Sequence, residues 1–161
     1  MKIKIKSFEE LTKEELYRIL QLRAEVFVVE QACAYLDLDG LDQKALHVIG
    51  YGSNDICAYT RIFRAGDYFE EASIGRVVVS PQERGKAYGK EIMQASLSYI
   101  SNTLNSRYTV ISAQLYLRKF YEEMGFKTEG EEYLEDDIPH IRMRRTDPAH
   151  TPADTSQEDT A

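Results

Sequence analysis

Polar and apolar residues alternate strictly from Lys2 to Lys6, a period of two that predicts a strand with one buried face. Thr12 and Glu15 form a capping box, and Leu16, Ile19, Leu20, Arg23 and Phe27 recur at helical spacing, which predicts a helix over 13–27. Val26-Phe27-Val28-Val29 is β-branched and aromatic, so the helix is expected to give way there. Residues 30–44 read as a long acidic loop with Asp37, Asp39 and Asp42 around Gly40. A loop of that length inside a compact domain is often a binding element. Strands are predicted over 46–51 and 56–63 around a Ser53-Asn54-Asp55 turn, then over 73–79, where Val77-Val78-Val79 implies burial on both faces. Pro81 ends that strand. A helix over 88–102, a strand over 108–112, a short helix over 115–124 closed by Gly125, and strands over 126–133 and 140–144 complete the pattern. The last two flank a turn at Asp136-Asp137-Ile138-Pro139.

Residues 146–161 are rich in Thr, Asp, Pro, Ala and Ser and offer almost nothing to bury, so they read as an acidic, disordered tail behind a domain of residues 1–145. The whole chain has 161 residues, room for one domain, and 43% hydrophobic residues, enough for a core without metal or disulfide staples. Net charge is −7; four of those charges, Asp147, Asp154, Glu158 and Asp159, belong to the tail. The remaining body lacks the broad positive field that non-specific nucleic-acid binding needs. No apolar run is long enough for a membrane span, and the start MKIKIKSFEE is not a secretory signal. Cys33 and Cys57 form neither a disulfide framework nor a metal knuckle, and read as buried thiols of a cytoplasmic protein.

The most informative stretch is VVVSPQERGKAYGKEIM, residues 77–93: a buried strand, a turn with Gly85 and Gly89, then an amphipathic helix. At a helix start several N–H groups lack intrahelical acceptors and the macrodipole adds about half a positive charge, so a pyrophosphate fits there. A Cβ at either glycine would obstruct the close approach or the dihedrals, and Arg84, Lys86 and Lys90 add charge. Neither the Walker pattern nor the dinucleotide fingerprint is present.

Gln82-Glu83-Arg84-Gly85-Lys86-Ala87 resembles the Q/R-x-x-G-x-G/A signature of the GCN5-related N-acetyltransferases (GNAT). Gln114-(x6)-Tyr121, in SAQLYLRKFYEEMGF, resembles that family's N-x-x-A-x-x-x-Y-x-x-x-G-F segment, with Gln114 for Asn and Leu117 for Ala. LRAEVFVVEQACAYLDLDGLD, AYTRIF, IGRVVVSP and GEEYLEDDIPHIRM are similar to segments of its ElaA-type branch, and the likeness covers residues 1–144. The resemblance implies a single α/β domain with a central twisted mixed sheet of six to seven strands and about four flanking helices. It also implies acetyl transfer from acetyl-CoA, a co-substrate, to an amine on a small molecule or peptide. The strand Val77, Val78 and Val79 would pair with the pantetheine arm. Arg84, Gly85, Lys86, Ala87, Tyr88, Gly89 and Lys90 would hold the pyrophosphate, Gln114 would complete the coenzyme site, and a homodimer is allowed. No metal, nucleic acid or membrane enters this reading.

Acetyl transfer needs an uncharged amine, a polarised thioester carbonyl and a proton for the departing thiolate. By family position Tyr121 supplies that proton, a phenol being matched to a thiolate of comparable basicity; the structural alternative packs it against Phe126, with Tyr116 as fallback. The base is open. Many relatives have a Glu where Arg76 stands, and an arginine cannot accept a proton. Glu30, Asp37, Asp39, His47 and His140 are the candidates, with Glu30 and His140 favoured; Arg23 and Arg76 fit equally as buried ion-pair partners. Asp37, Asp39 and Asp42 fail the EF-hand pattern and read as a solvated loop or as a lure for a cationic amine. A non-catalytic acyl-CoA-binding domain is the rival function.

Overall fold

The computed structural model describes residues 1–148, so most of the expected tail lies outside the described residues. Seven strands, β1 (Lys2–Ser7), β2 (Leu46–Tyr51), β3 (Ile56–Phe63), β4 (Ala72–Val79), β5 (Tyr108–Gln114), β6 (Lys127–Glu135) and β7 (Ile138–Thr146), form one sheet in the order β1-β2-β3-β4-β5-β7-β6. Every neighbouring pair is antiparallel except β4–β5, which is parallel and pairs only Ala72 with Thr109 and Ser73 with Val110. A parallel join needs a crossover, and α2 (Tyr88–Asn102) supplies it.

α1 (Lys13–Arg23) starts where the capping box predicts: Thr12 Oγ1 accepts the Glu15 N–H at 3.0 Å, and Glu15 Oε1 accepts the Thr12 N–H at 3.0 Å. Its end departs from expectation. The β-branched run does not stop the helix but widens it into a π-helical segment, Ala24–Glu30, a local form frequent at functional sites. The expected short helix splits into a 3₁₀ turn, Leu115–Leu117, and α3 (Arg118–Glu122). The described residues therefore contain three α-helices rather than four.

The sheet carries an apolar layer on each face. On one, Ile92, Met93, Leu97 and Ile100 of α2 and Tyr121 of α3 pack with Ile62, Ile111, Ala113, Ile141 and Met143. On the other, Ile19 and Leu22 of α1 and Val26 and Phe27 of the π-helical segment pack with Ile49, Tyr59 and Val78. The β6–β7 turn is tighter than predicted: only Asp136 and Asp137 lie between the strands, both at positive φ, as a two-residue hairpin requires.

The carboxylates of the acidic loop are not free in solvent. Arg23, wholly buried, pairs with Asp37 at 2.9 Å and Asp42 at 2.8 Å. Arg61 pairs with Asp42 at 2.9 Å and with Asp39, and Arg76 Nε lies 2.7 Å from Asp37 Oδ1. Three carboxylates thus meet three guanidiniums, which fixes the loop to α1, β3 and β4. Of the two readings of Arg23 and Arg76, ion-pair partners is the one observed. His47 is wholly buried between the Tyr59 hydroxyl, 2.6 Å from Nδ1, and the Asp42 carbonyl, 2.9 Å from Nε2.

Candidate active site

β4 separates from β5 after Ser73 for a local reason. Tyr59 pairs with Val78 and Arg61 with Gly75, so Arg76 and Val77 together oppose Thr60. That is a β-bulge, which bends its strand, and Arg76 takes the extra residue's left-handed backbone at φ +50°. A non-glycine residue there costs roughly 1–2 kcal/mol; Asp37 anchors it, its carbonyl accepting from Arg76 Nη2 at 2.9 Å. From Ile74 onward the β5-facing edge of β4 has no strand partner among the described residues. Val77 and Val79 are consequently only half-buried, whereas burial on both faces was expected. The gap opens into a cleft of about 890 Å³.

At one end of the cleft stands the turn into α2. Gly85 sits at φ +84°, where only glycine is relaxed. Ala87, at φ +61°, is the N-cap of α2 and gives no side-chain cap, which leaves the first N–H groups of Tyr88, Gly89 and Lys90 open to an external acceptor. Gly89 belongs to the first turn of α2 rather than to the loop, and a Cβ there would meet Val79 and Phe120 at an ordinary 3.6 Å. Its bareness keeps the groove between those side chains wide instead of permitting a special dihedral. Lys86, exposed, pairs with Glu83, and Arg84 reaches across to Glu30 at 2.6 Å.

Of the residues singled out from sequence, Glu30, Val77, Val78, Val79, Arg84, Gly89, Gln114, Tyr121 and His140 line this one cleft; Gly85, Lys86, Ala87, Tyr88 and Lys90 form the turn at its end without lining it. Asp39 lines it too but is engaged by Arg61. Asp37 is buried against Arg23, and His47 does not line the cleft, so neither fits a catalytic base. Gln114 and Gln31 exchange amide hydrogen bonds at 3.2 and 3.4 Å across the opening. Cys57 is buried as expected; Cys33 is only half-buried and lines the cleft.

Tyr121 is 5% exposed, its ring edge-on to Phe120 and Phe126. Packing against Phe126 and facing the cleft are both true of it. Burial pushes its phenol well above the usual tyrosine range, so it is protonated at neutral pH, and no described residue hydrogen-bonds its hydroxyl. His140 Nδ1 lies 2.7 Å from the Ile138 carbonyl oxygen and Nε2 lies 3.2 Å from Glu135 Oε2. Glu135 and its neighbours Ser112 and Tyr133 escaped the sequence reading. The signal existed: a two-residue turn at Asp136-Asp137 fixes the hairpin register and sets Tyr133 opposite His140.

A parallel join that opens beyond one pair of bridges, a bulged strand at its edge and an uncapped helix start beside it define a GNAT fold. The match of residues 9–146 to the acetyltransferase (GNAT) domain shows that the chain belongs to that family and is an N-acetyltransferase. Within the family it groups with ElaA-type proteins. It is 41% identical to protein ElaA of Escherichia coli over 138 residues, 84% of this chain and 90% of that one. The solved ElaA of E. coli superposes with a TM-score of 0.82 at 37% identity, covering 90% of this chain and 99% of ElaA. An acyl-CoA N-acyltransferase of Pseudomonas aeruginosa superposes at 0.84 with 40% identity, covering 91% and 100%.

Proposed function

We propose that the chain moves an acetyl group from acetyl-CoA to a primary amine by direct attack within a ternary complex. The observation that carries this reading is the unpartnered β4 edge opening onto the same cleft as Tyr121, with the uncapped start of α2 at its end. A pantetheine arm has alternating amide donors and acceptors and can add to an open strand edge as another strand would. The coenzyme's diphosphate takes the free N–H groups from Tyr88 to Lys90 and the helix field, as an anion does at such a terminus. Arg84, already at the rim, adds a positive charge.

The amine nitrogen attacks the thioester carbon, the C–S bond breaks, and the coenzyme leaves as its thiol after taking the Tyr121 proton. An ammonium acceptor gives up two protons in all; one replaces that of Tyr121 and the other is released to solvent through His140. His140 is the better base of the two candidates, because Glu30 is engaged by Arg84 at the diphosphate end. Cys33 needs no acyl-carrying role, so Cys33→Ser is expected to retain turnover and saturation kinetics for both substrates. Thiol release from acetyl-CoA over an amine panel tests the proposal against Tyr121→Phe: turnover falls roughly 10²-fold or more while acetyl-CoA affinity holds. Acetyl-CoA binding without turnover of any amine returns the protein to the acyl-CoA-binding rival.

A further inference from the structure

The half of the cleft across the sheet from Tyr121 has a chemistry of its own. Ile111, Ala113, Ile141 and Met143 face α2 and α3, so by strand alternation Ser112, Gln114 and His140 point to the opposite face. There Tyr133 stacks on His140, ring centres 6.1 Å apart. A carbonyl only accepts, so the Ile138 contact puts a proton on His140 Nδ1, while Nε2 lies 3.2 Å from Glu135 Oε2. Glu135 also accepts from Ser112 Oγ at 3.2 Å, and Ser112 in turn bonds the Tyr133 hydroxyl. No Lys or Arg among the described residues pairs with Glu135. The Glu135 carboxylate is thus an anionic seat that a cationic N–H donor completes.

Two other acids of the cleft are already neutralised, Glu30 by Arg84 and Asp39 by Arg61. Asp136, next to Glu135, also lines the cleft. Beside this seat is an aromatic wall. Phe63 and Tyr68 stack at 5.1 Å, and Tyr68 meets Phe69 edge-on at 4.7 Å. Arg61 covers Phe63 at 4.9 Å and Arg142 covers Phe69 at 5.1 Å; Phe63, 1% exposed, backs Tyr68, so the surface on offer is that of Tyr68 and Phe69, apolar and flanked by cations rather than an ammonium site. Tyr68, Phe69, Glu135 and His140 line the same cleft, which joins wall to seat.

We infer that the acceptor is an amine whose primary ammonium sits on Glu135 beside His140 while a compact aromatic or apolar body lies on Tyr68 and Phe69. This rests on the acetyl-transfer reading above. The guanidiniums of Arg61 and Arg142 flank that apolar wall and repel a second ammonium, so an aralkylamine suits it better than a polyamine.

The full chain is assayed for thiol release from acetyl-CoA with 2-phenylethylamine, spermidine and a lysyl peptide as probes. The expected result is the highest kcat/KM with 2-phenylethylamine. Glu135→Gln, at a half-exposed position, is expected to raise its KM about tenfold or more with a smaller change in kcat and unchanged acetyl-CoA affinity, as loss of a charge-assisted hydrogen bond does. Tyr68→Ala is expected to raise KM for 2-phenylethylamine and not for spermidine. Preference for spermidine or the peptide, or an unchanged KM in Glu135→Gln, overturns the inference and leaves acetyl transfer standing. Should no probe turn over, the CoA-bound chain is titrated with 2-phenylethylamine by NMR, and the absence of saturable shifts at His140 and Tyr68 overturns it equally. Failure of acetyl-CoA itself to bind strikes the acetyl-transfer reading instead.

Discussion

The partners of Arg23 show how far single residues can be misjudged from their neighbours in sequence. On helical spacing Arg23 belongs to the inward stripe of α1, and the structure buries it completely against Asp37 and Asp42. The loop's carboxylates look solvated in the sequence because the arginines that neutralise them lie 14 to 39 residues away along the chain. Removing one partner of a buried pair strands the others without water. Arg23→Leu is therefore expected to lose about 3–5 kcal/mol in urea unfolding, with loss of Arg76 geometry as a secondary effect. Acid acts on the same contacts. Burial raises the Asp39 carboxyl, but hydrogen bonding and charge from Arg61 win and hold it down to about 2; Glu15 is held to about 2 against burial by Lys6, the Thr12 N–H and Tyr51. A folded value below the unfolded one means stability that is full above the ordinary carboxylate range and lost as pH falls toward 2. Urea midpoints should be flat from pH 7 to about 5 and fall steadily below about 4.

At the scale of elements, β2, β3 and α2 were legible to the residue because alternation, the 53–55 turn and the helical apolar stripe agree. The π-helical segment was not. β-Branched residues argue against an α-helix, yet Val26 and Phe27 gain burial on Ile49 and Tyr59, and the backbone widens to deliver them. The bulge at Arg76 was equally hidden, since bulges favour glycine or asparagine and the strain here is met by Asp37 from a distant loop. Gly89 gives an element-scale test. Its φ is not left-handed and a Cβ meets only 3.6 Å neighbours, so Gly89→Ala should strengthen α2 by up to about 1 kcal/mol. The added methyl narrows the groove between Val79 and Phe120, so acetyl-CoA affinity should fall while the melting temperature rises. Unchanged affinity would remove Gly89 from the coenzyme path.

The whole molecule turns on one break in an otherwise continuous sheet. Six strand pairings build it, and the parallel one stops after two bridges, which converts a sheet interior into a cleft reachable from both faces. Tyr121 approaches from the α2–α3 face and the Glu135–His140 pair from the other. In the proposed reaction a thioester at the break is met by Tyr121 on one side and by the amine on the other. Sequence motifs marked the turn into α2, the proposed coenzyme end, because backbone anion sites leave glycine-rich marks. The acceptor end left no such mark, being assembled from β3, the 64–71 connection and the β6–β7 hairpin, which come together only through tertiary pairing. The most direct measurement is an amide NMR titration of the full chain with acetyl-CoA. The account predicts saturable shifts confined to Val77–Val79 and to Gly85–Lys90, with β1 and β6 unmoved. Silence in those two stretches, while acetyl-CoA demonstrably binds elsewhere, would contradict it.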